Sequence, residues 1–363
     1  MPAKAMHVPA AARSRKLTAV TGPQPAASPG RLVFVGAVHE AEPALAALLD
    51  SPAEVAAVIT VPAEQGPLPA GYVDLAPLAG AHGVPVRRCA DINAAGEVEH
   101  IRRLAPDLIV VVGWTRLLGP ELLAVPRRGC VGFHASLLPR YRGRAPVNWA
   151  ILRGEDVTGN TMMYLDAGTD TGDVIDQQRV PIGPDDTCAT VYAMVADAGA
   201  GMLTKHLQAL LAGTAPRRPQ GAASGGVLRK RTPPMGITDW NRPAAAVHDW
   251  IRALTVPYPG AFGFWSGRKV MLWASAAPGQ VASGGRPGEV LGYHDHAARV
   301  ATADGSLLVT AMSDPGSVPQ PAQAWARQSG MRPGDRFDEV DAATARWALG
   351  LGAAPAVTPA GTR

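Results

Sequence analysis

The stretch "GFHASLLPRYRGRAP", Gly132 to Pro146, sets His134 ahead of an apolar Leu-Leu-Pro turn and follows it with Arg140, Arg142, Arg144 and Tyr141. Thirty-six residues beyond His134, the loop "DAGTDTGD" supplies Asp166, Asp170 and Asp173 among glycines and small residues. An imidazole whose tautomer is set by a carboxylate can move protons during acyl transfer, with no nucleophile of its own. The same residues would also make a structural histidine and an Asp/Gly turn, and spacing alone leaves both readings open. The arginines suit phosphate oxygens, but a solvated loop or ion pairs to the acidic loop would use them equally well.

Several other chemistries have no support. "VGAVHE" lacks the G-x-G-x-x-G spacing of a dinucleotide site, and no P-loop, G-x-S-x-G or H-E-x-x-H occurs. Cys89, Cys130 and Cys188 are odd in number and contain no CxxC, which argues against a disulfide framework or zinc and for a reducing cytoplasm. No metal is expected. The net charge of +4 over 363 residues does not by itself indicate nucleic-acid binding.

The elements that must position these residues follow from hydrophobic periodicity. "RLVFVGAV", "EPALAALLD" and "EVAAVITV" read as strand, helix, strand; "AAGEVEHIRRLA" reads as a helix, "PDLIVVVGW" as a buried strand, and "GCVGFHAS" as a strand ending at His134. This predicts an α/β fold with a Rossmann-like, doubly wound parallel sheet whose strand ends carry the site. Residues 160–182 read as two strands around the Asp-bearing loop, and Thr187 caps a long helix over 188–213.

The expected organisation is a disordered tail over 1–30, without a signal-peptide core or membrane span, then a catalytic domain over 31–213. A Pro/Gly/Ala-rich basic linker follows over 214–230, then a small OB-like β-barrel over 231–315 and a partly disordered tail over 316–363.

"FHASLLPRYRGRAP" followed by "NWAILRGEDVTGNTMMYLDAGTDTGDVIDQ" resembles the signature of the folate-dependent formyltransferases, which include methionyl-tRNA, glycinamide ribonucleotide and nucleotide-sugar formyltransferases. The resemblance extends to "PDLIVVVGWTRLL", "RTPPMGITDW", "VHDWIRAL" and "PYPGAF", about residues 31–315. It implies 10-formyltetrahydrofolate as formyl donor and an Asn-x-His pair with an Asp as catalytic residues. The histidine is then His134 and the aspartate Asp170, while the asparagine position holds Gly132. The missing amide would have donated to the oxyanion, a contribution of roughly 10²–10³ in rate. The resemblance also puts Trp114, Thr115, Arg116, Leu117 and Leu118 along the pterin pocket, closed by Asp166, Ala167 and Gly168. Ser136, Arg140, Arg142 and Arg144 would face the acceptor.

The acceptor is expected to be a phosphate-bearing primary amine. The wording around "RGRAPVNWAILRGE" looks most like the domain that formylates nucleotide-linked amino sugars, with small secondary metabolites as further candidates. No Lys or Arg occurs from Leu32 to Val86, which counts against tRNA. A methionyl-tRNA formyltransferase, a formyltetrahydrofolate hydrolase and a non-catalytic binding protein are the alternatives. The tRNA alternative would rest on Arg217, Arg218, Arg229, Lys230 and Arg231.

Overall fold

The computed structural model describes residues 30–63, 69–222, 226–277 and 284–355. The expected tail over 1–29 lies outside them.

Continuous apolar runs make the central strands of the first sheet. β1 (Arg31–Gly36), β4 (Leu108–Val112) and β5 (Cys130–His134) lie side by side and are buried on both faces, with β2 (Glu54–Thr60) and the short β3 (Val86–Arg88) beyond β1. The order is β3-β2-β1-β4-β5-β6-β7. The first five strands are parallel, as expected, but β6 (Val157–Tyr164) and β7 (Val174–Pro181) run antiparallel to their neighbours. The sheet is therefore mixed rather than wholly parallel. A parallel crossover needs a dozen or more residues, and the β6–β7 connection is shorter than that.

Helices α1 (Ala41–Leu49), α2 (Ala76–Ala81), α3 (Ala95–Arg103), α4 (Pro120–Leu123) and α5 (Pro146–Leu152) fill the connections. Helix α6 (Cys188–Ala212) starts where Thr187 and Thr190 form a reciprocal capping box, and ends at Gly213 in the left-handed region. Its apolar face, with Met202, Leu203, Leu207 and Leu210, covers Phe34, Val110 and Met162 of the sheet.

The C-terminal part begins with a 3-10 turn (Pro233–Gly236) and α7 (Ala244–Leu254). An antiparallel sheet in the order β10-β11-β12-β9-β8 follows, built from β8 (Ala261–Trp265), β9 (Arg268–Ser275), β10 (Val290–His294), β11 (Ala297–Ala301) and β12 (Ser306–Ser313). One apolar cluster joins it to the first part: Trp149, Ile151 and Val191 pack in the same core as Trp250, Ile251, Phe262 and Leu272.

Two expectations change here. The stretch after 315, expected to be partly disordered, contains β13 (Gln320–Pro321), α8 (Ala322–Ser329) and α9 (Ala342–Ala348). Trp325 and Phe337 bury their rings in the core, which overrides the Pro/Ala/Gly composition; residues 356–363 lie outside the described residues. The expected linker is not a free tether either. Arg218 exchanges two backbone hydrogen bonds with Val174 of β7, and Leu228 accepts from Arg144 and donates to Arg142.

Candidate active site

The turn after β5 is held by a polar knot under its apolar surface. Thr161 on β6 donates its hydroxyl to the Ser136 carbonyl and accepts from the Leu138 amide, while Gln177 of β7 donates to Thr161 and to the Leu138 carbonyl. The Ser136 hydroxyl donates to the Arg140 carbonyl at 2.7 Å. These bonds close the Leu-Leu-Pro turn so that Tyr141 returns over His134, whose Nε2 donates to the Tyr141 carbonyl at 2.8 Å. With Nε2 committed, Nδ1 is the nitrogen left to take or release a proton.

The loop after β6 starts beside the opposite end of β5, where the Leu165 amide donates to the Cys130 carbonyl. It then doubles back along β5 to bring Asp170 to His134. The two Asp170 oxygens do different work. Oδ2 accepts from the Gly143 amide at 2.8 Å, and Oδ1 stands 3.6 Å from His134 Nδ1, too far for a direct hydrogen bond and a span that a bridging water can serve. Asp170 has a φ of 54°, in the left-handed region that aspartate tolerates better than most residues. Gly143 has a φ of 106°, and a Cβ there would lie 2.6 Å from the Leu228 carbonyl oxygen, so only glycine lets the segment after the long helix approach so closely.

Sequence reasoning missed Gln220. Its side-chain nitrogen donates to the carbonyls of Asp170 and Gly172 at 3.0 and 2.8 Å, and its oxygen accepts from the Arg142 guanidinium at 2.7 Å. A single Gln in a Pro-rich basic run has no periodicity or motif to mark it.

Gly132 pairs with Val111 and Met163 in the middle of the sheet. A Cβ placed on it would sit 2.6 Å from Leu165 Cδ2 and 3.2 Å from Leu165 Cγ. Leu165 therefore fills the space that a larger residue at 132 would claim. Leu165 and Trp114 pack on one apolar cluster with Leu118 and Val111, so this side of the site is hydrophobic.

Both sides open into a cavity of about 1750 Å³, larger than a single drug-sized ligand requires and sufficient for a donor beside an acceptor. Its lining includes Gly132, His134, Gly143, Arg144, Asp166, Gly168 and Asp170. Trp114, Thr115, Arg116, Leu117 and Leu118 form another wall, past the last pair of the β1–β4 ladder. Apolar side chains next to backbone outside the sheet ladder suit a flat heteroaromatic ring carrying amide-like edges, so the residues present fit the pterin of a folate. Ala167 is exposed and is not among the cavity-lining residues.

The expected acceptor residues separate. Arg140 is in an ion pair with Glu155 at 2.7 Å, and Arg142 is taken by Gln220. Ser136 is 1 % exposed and shapes the turn, so it is no substrate contact. Among the described residues Arg144 and Lys230 both line the cavity, are exposed, and have no acidic partner. Burial keeps Cys130 and Cys188 inert by pushing both thiols up to about 12.

The chain matches the family model "Formyl transferase" over residues 32–207 and "Formyl transferase, C-terminal domain" over 231–330. A methionyl-tRNA formyltransferase of Geobacter sulfurreducens is 36 % identical over 317 residues, 85 % of this chain and 97 % of the relative. One from Moorella thermoacetica is 38 % identical over 309 residues, covering 84 % and 98 %. Among solved structures, HypX from Aquifex aeolicus in complex with tetrahydrofolic acid superposes with a TM-score of 0.60 at 22 % identity, over 83 % of this chain and 47 % of HypX. An N-formyltransferase from Helicobacter canadensis, solved with folinic acid and dTDP-3-aminofucose, gives 0.58 at 18 %, over 77 % and 98 %. At such identities these two establish the fold alone.

Two expectations are corrected by these relatives. The amino-sugar acceptor rested on a similarity of wording, whereas curated relatives at 36–38 % identity spanning both domains are methionyl-tRNA enzymes. The exclusion of tRNA rested on the absence of Lys and Arg from Leu32 to Val86, which is only one stretch of the chain. Arg144, Arg217, Arg229 and Lys230 are exposed elsewhere, around the segment that joins the two parts. With both family regions matched and near full-length relatives above 30 % identity, the chain belongs to the folate-dependent formyltransferase family.

Proposed function

We propose that this protein transfers a formyl group to the α-amine of methionyl-tRNA in the cytoplasm. The observation that carries the reading is the relationship to methionyl-tRNA formyltransferases over 85 % of this chain and 97 % of the relative, in which both the His134/Asp170 domain and the C-terminal domain take part. When bound, 10-formyltetrahydrofolate supplies the formyl group.

The chain's own residues would then divide the work. As its bond to the formyl carbon forms, the attacking amine has to shed a proton; His134 Nδ1 is the nitrogen free to receive it, directly or through a water held toward Asp170 Oδ1, and would pass it to the donor nitrogen whose bond to the formyl carbon breaks. Asp170 keeps the 143 loop and the imidazole in register by accepting from the Gly143 amide. Arg144 and Lys230 hold acceptor phosphates at the cavity, and the Trp114–Leu118 wall holds the donor. The apolar surface of Leu165 shields the reacting carbonyl from bulk water on the other side.

The test is a formylation assay with purified protein, 10-formyltetrahydrofolate and charged initiator methionyl-tRNA, with formylmethionine detected by mass after deacylation. Formylmethionyl-tRNA is the expected product. Intact methionyl-tRNA with free formate would overturn the reading in favour of a hydrolase.

A further inference from the structure

We propose that Gln220, in the segment joining the two parts of the chain, is a positioning residue of the formyl-transfer site. The proposal rests on the formyltransferase reading of His134 and Asp170.

The two loops that make the site come from different places in the sequence, and neither is tied to the other by regular structure. The 139–145 loop carries the Tyr141 carbonyl that fixes His134 and the Gly143 amide that binds Asp170. The 166–173 loop carries Asp170 itself, in a left-handed conformation. Gln220 bonds to both. Its amide nitrogen spans the carbonyls of Asp170 and Gly172, on either side of the turn, and its amide oxygen takes two guanidinium nitrogens of Arg142, at 2.7 and 3.3 Å. The backbone around it is pinned on both flanks. Arg218 pairs with Val174 at one side, and Leu228 bonds with Arg142 and Arg144 at the other.

The amide is chemically specific in this place. Two carbonyls require a donor with two hydrogens and a guanidinium requires an acceptor, and only a carboxamide offers both from one planar group. Glutamate has the same size and would satisfy Arg142 better, but it would face two carbonyl oxygens with no hydrogen to give. Gln220→Glu therefore keeps the packing and the Arg142 side while removing the hold on Asp170. The Asp170 turn would then relax and displace the carboxylate from His134. A misplacement of about 1 Å in such a constellation costs on the order of 10² in turnover.

The experiment compares full-length wild type, Gln220→Glu and Gln220→Ala. Steady-state formylation of methionyl-tRNA is measured together with amide hydrogen exchange of peptides covering 139–146 and 166–175, and thermal unfolding serves as the folding control. In Gln220→Glu we expect kcat lower by roughly 10², with KM for donor and acceptor within about threefold of wild type. We also expect faster exchange in both peptides and an unfolding temperature lowered by no more than a few degrees, so that the variant stays folded. Unchanged exchange in both peptides, or a kcat within about threefold of wild type, would overturn the proposal. The exchange measurement needs no acceptor. Should wild type formylate no tRNA, the acceptor reading fails and exchange alone decides on Gln220. Should Gln220→Ala not fold, the isosteric glutamate variant still gives the answer.

Discussion

The two sides of the cavity beside β5 are built on opposite principles. On one, Asp170, Gly143, Arg142 and Gln220 are joined by hydrogen bonds of 2.7–3.0 Å, and His134 Nδ1 stands 3.6 Å from the Asp170 carboxylate. On the other, Gly132 has no side chain, and Leu165 and Trp114 present hydrocarbon. The family resemblance places a catalytic residue on each side, so the contrast locates the departure of this chain. On the proposed function, the half that would handle protons keeps both its histidine and its aspartate, and leucine fills the space beside Gly132 where the family's amide would stand. A transferase of this form would then draw its rate from positioning and from His134.

That division predicts a ranking of substitutions. His134→Ala should cost the most, roughly 10²–10⁴ in kcat, measured by formylation at saturating donor. A loss under about tenfold would assign the proton transfer to another group and dissolve the contrast. Next is the apolar side. Gly132→Asn alone forces its Cβ against Leu165, and an overpacking cost of about 1–3 kcal/mol should appear as a lower unfolding temperature. Combined with Leu165→Ala, which opens the space, the same asparagine should raise kcat by about tenfold or more, part of the 10²–10³ that one oxyanion donor contributes. If the double variant is no faster than Leu165→Ala, leucine is not what bars an amide from this wall.

The arginines sharpen the comparison at lower amplitude. Arg144→Ala should weaken tRNA binding and reduce the slope of log affinity against log salt by about 1. Arg140→Ala should do much less, because that guanidinium already has Glu155. Equal slopes for the two would mean that the cavity cations do not meet phosphate.

The smallest effect lies outside both sides, at Asp176 on β7. Burial raises its carboxyl, but hydrogen bonds from Lys205 and His206 outweigh that and hold it at about 2. A depressed pKa stabilises the fold above the unfolded value near 4, and the contribution is lost as pH falls through the folded value of about 2. Asp176→Asn should therefore cost about 1 kcal/mol at pH 7 and only a small part of that near pH 2, as followed by denaturant unfolding at the two pH values. Activity should not follow.

Most elements were legible in the sequence because their signals are local. The apolar runs of β1, β4 and β5, the Thr187 cap of α6 and the short strands from Ala261 to Ser313 appear where periodicity puts them. The antiparallel run of β6 and β7 was less legible, since strand direction depends on how a connection crosses the sheet. The helical tail failed for a related reason: Trp325 and Phe337 are ordered by a core made of distant residues.

By itself the sequence determined the chemical inventory: an imidazole at a strand end, a carboxylate on a Gly-rich loop, a folate-binding resemblance and a glycine where an amide is expected. Only the tertiary structure decided how that inventory is spent. It paired Arg140 with Glu155, gave Arg142 to Gln220, left Arg144 and Lys230 facing the cavity, and put Leu165 against Gly132. These outcomes depend on contacts between residues as many as 78 positions apart, and residue type and spacing hold no record of which distant partner a side chain will meet.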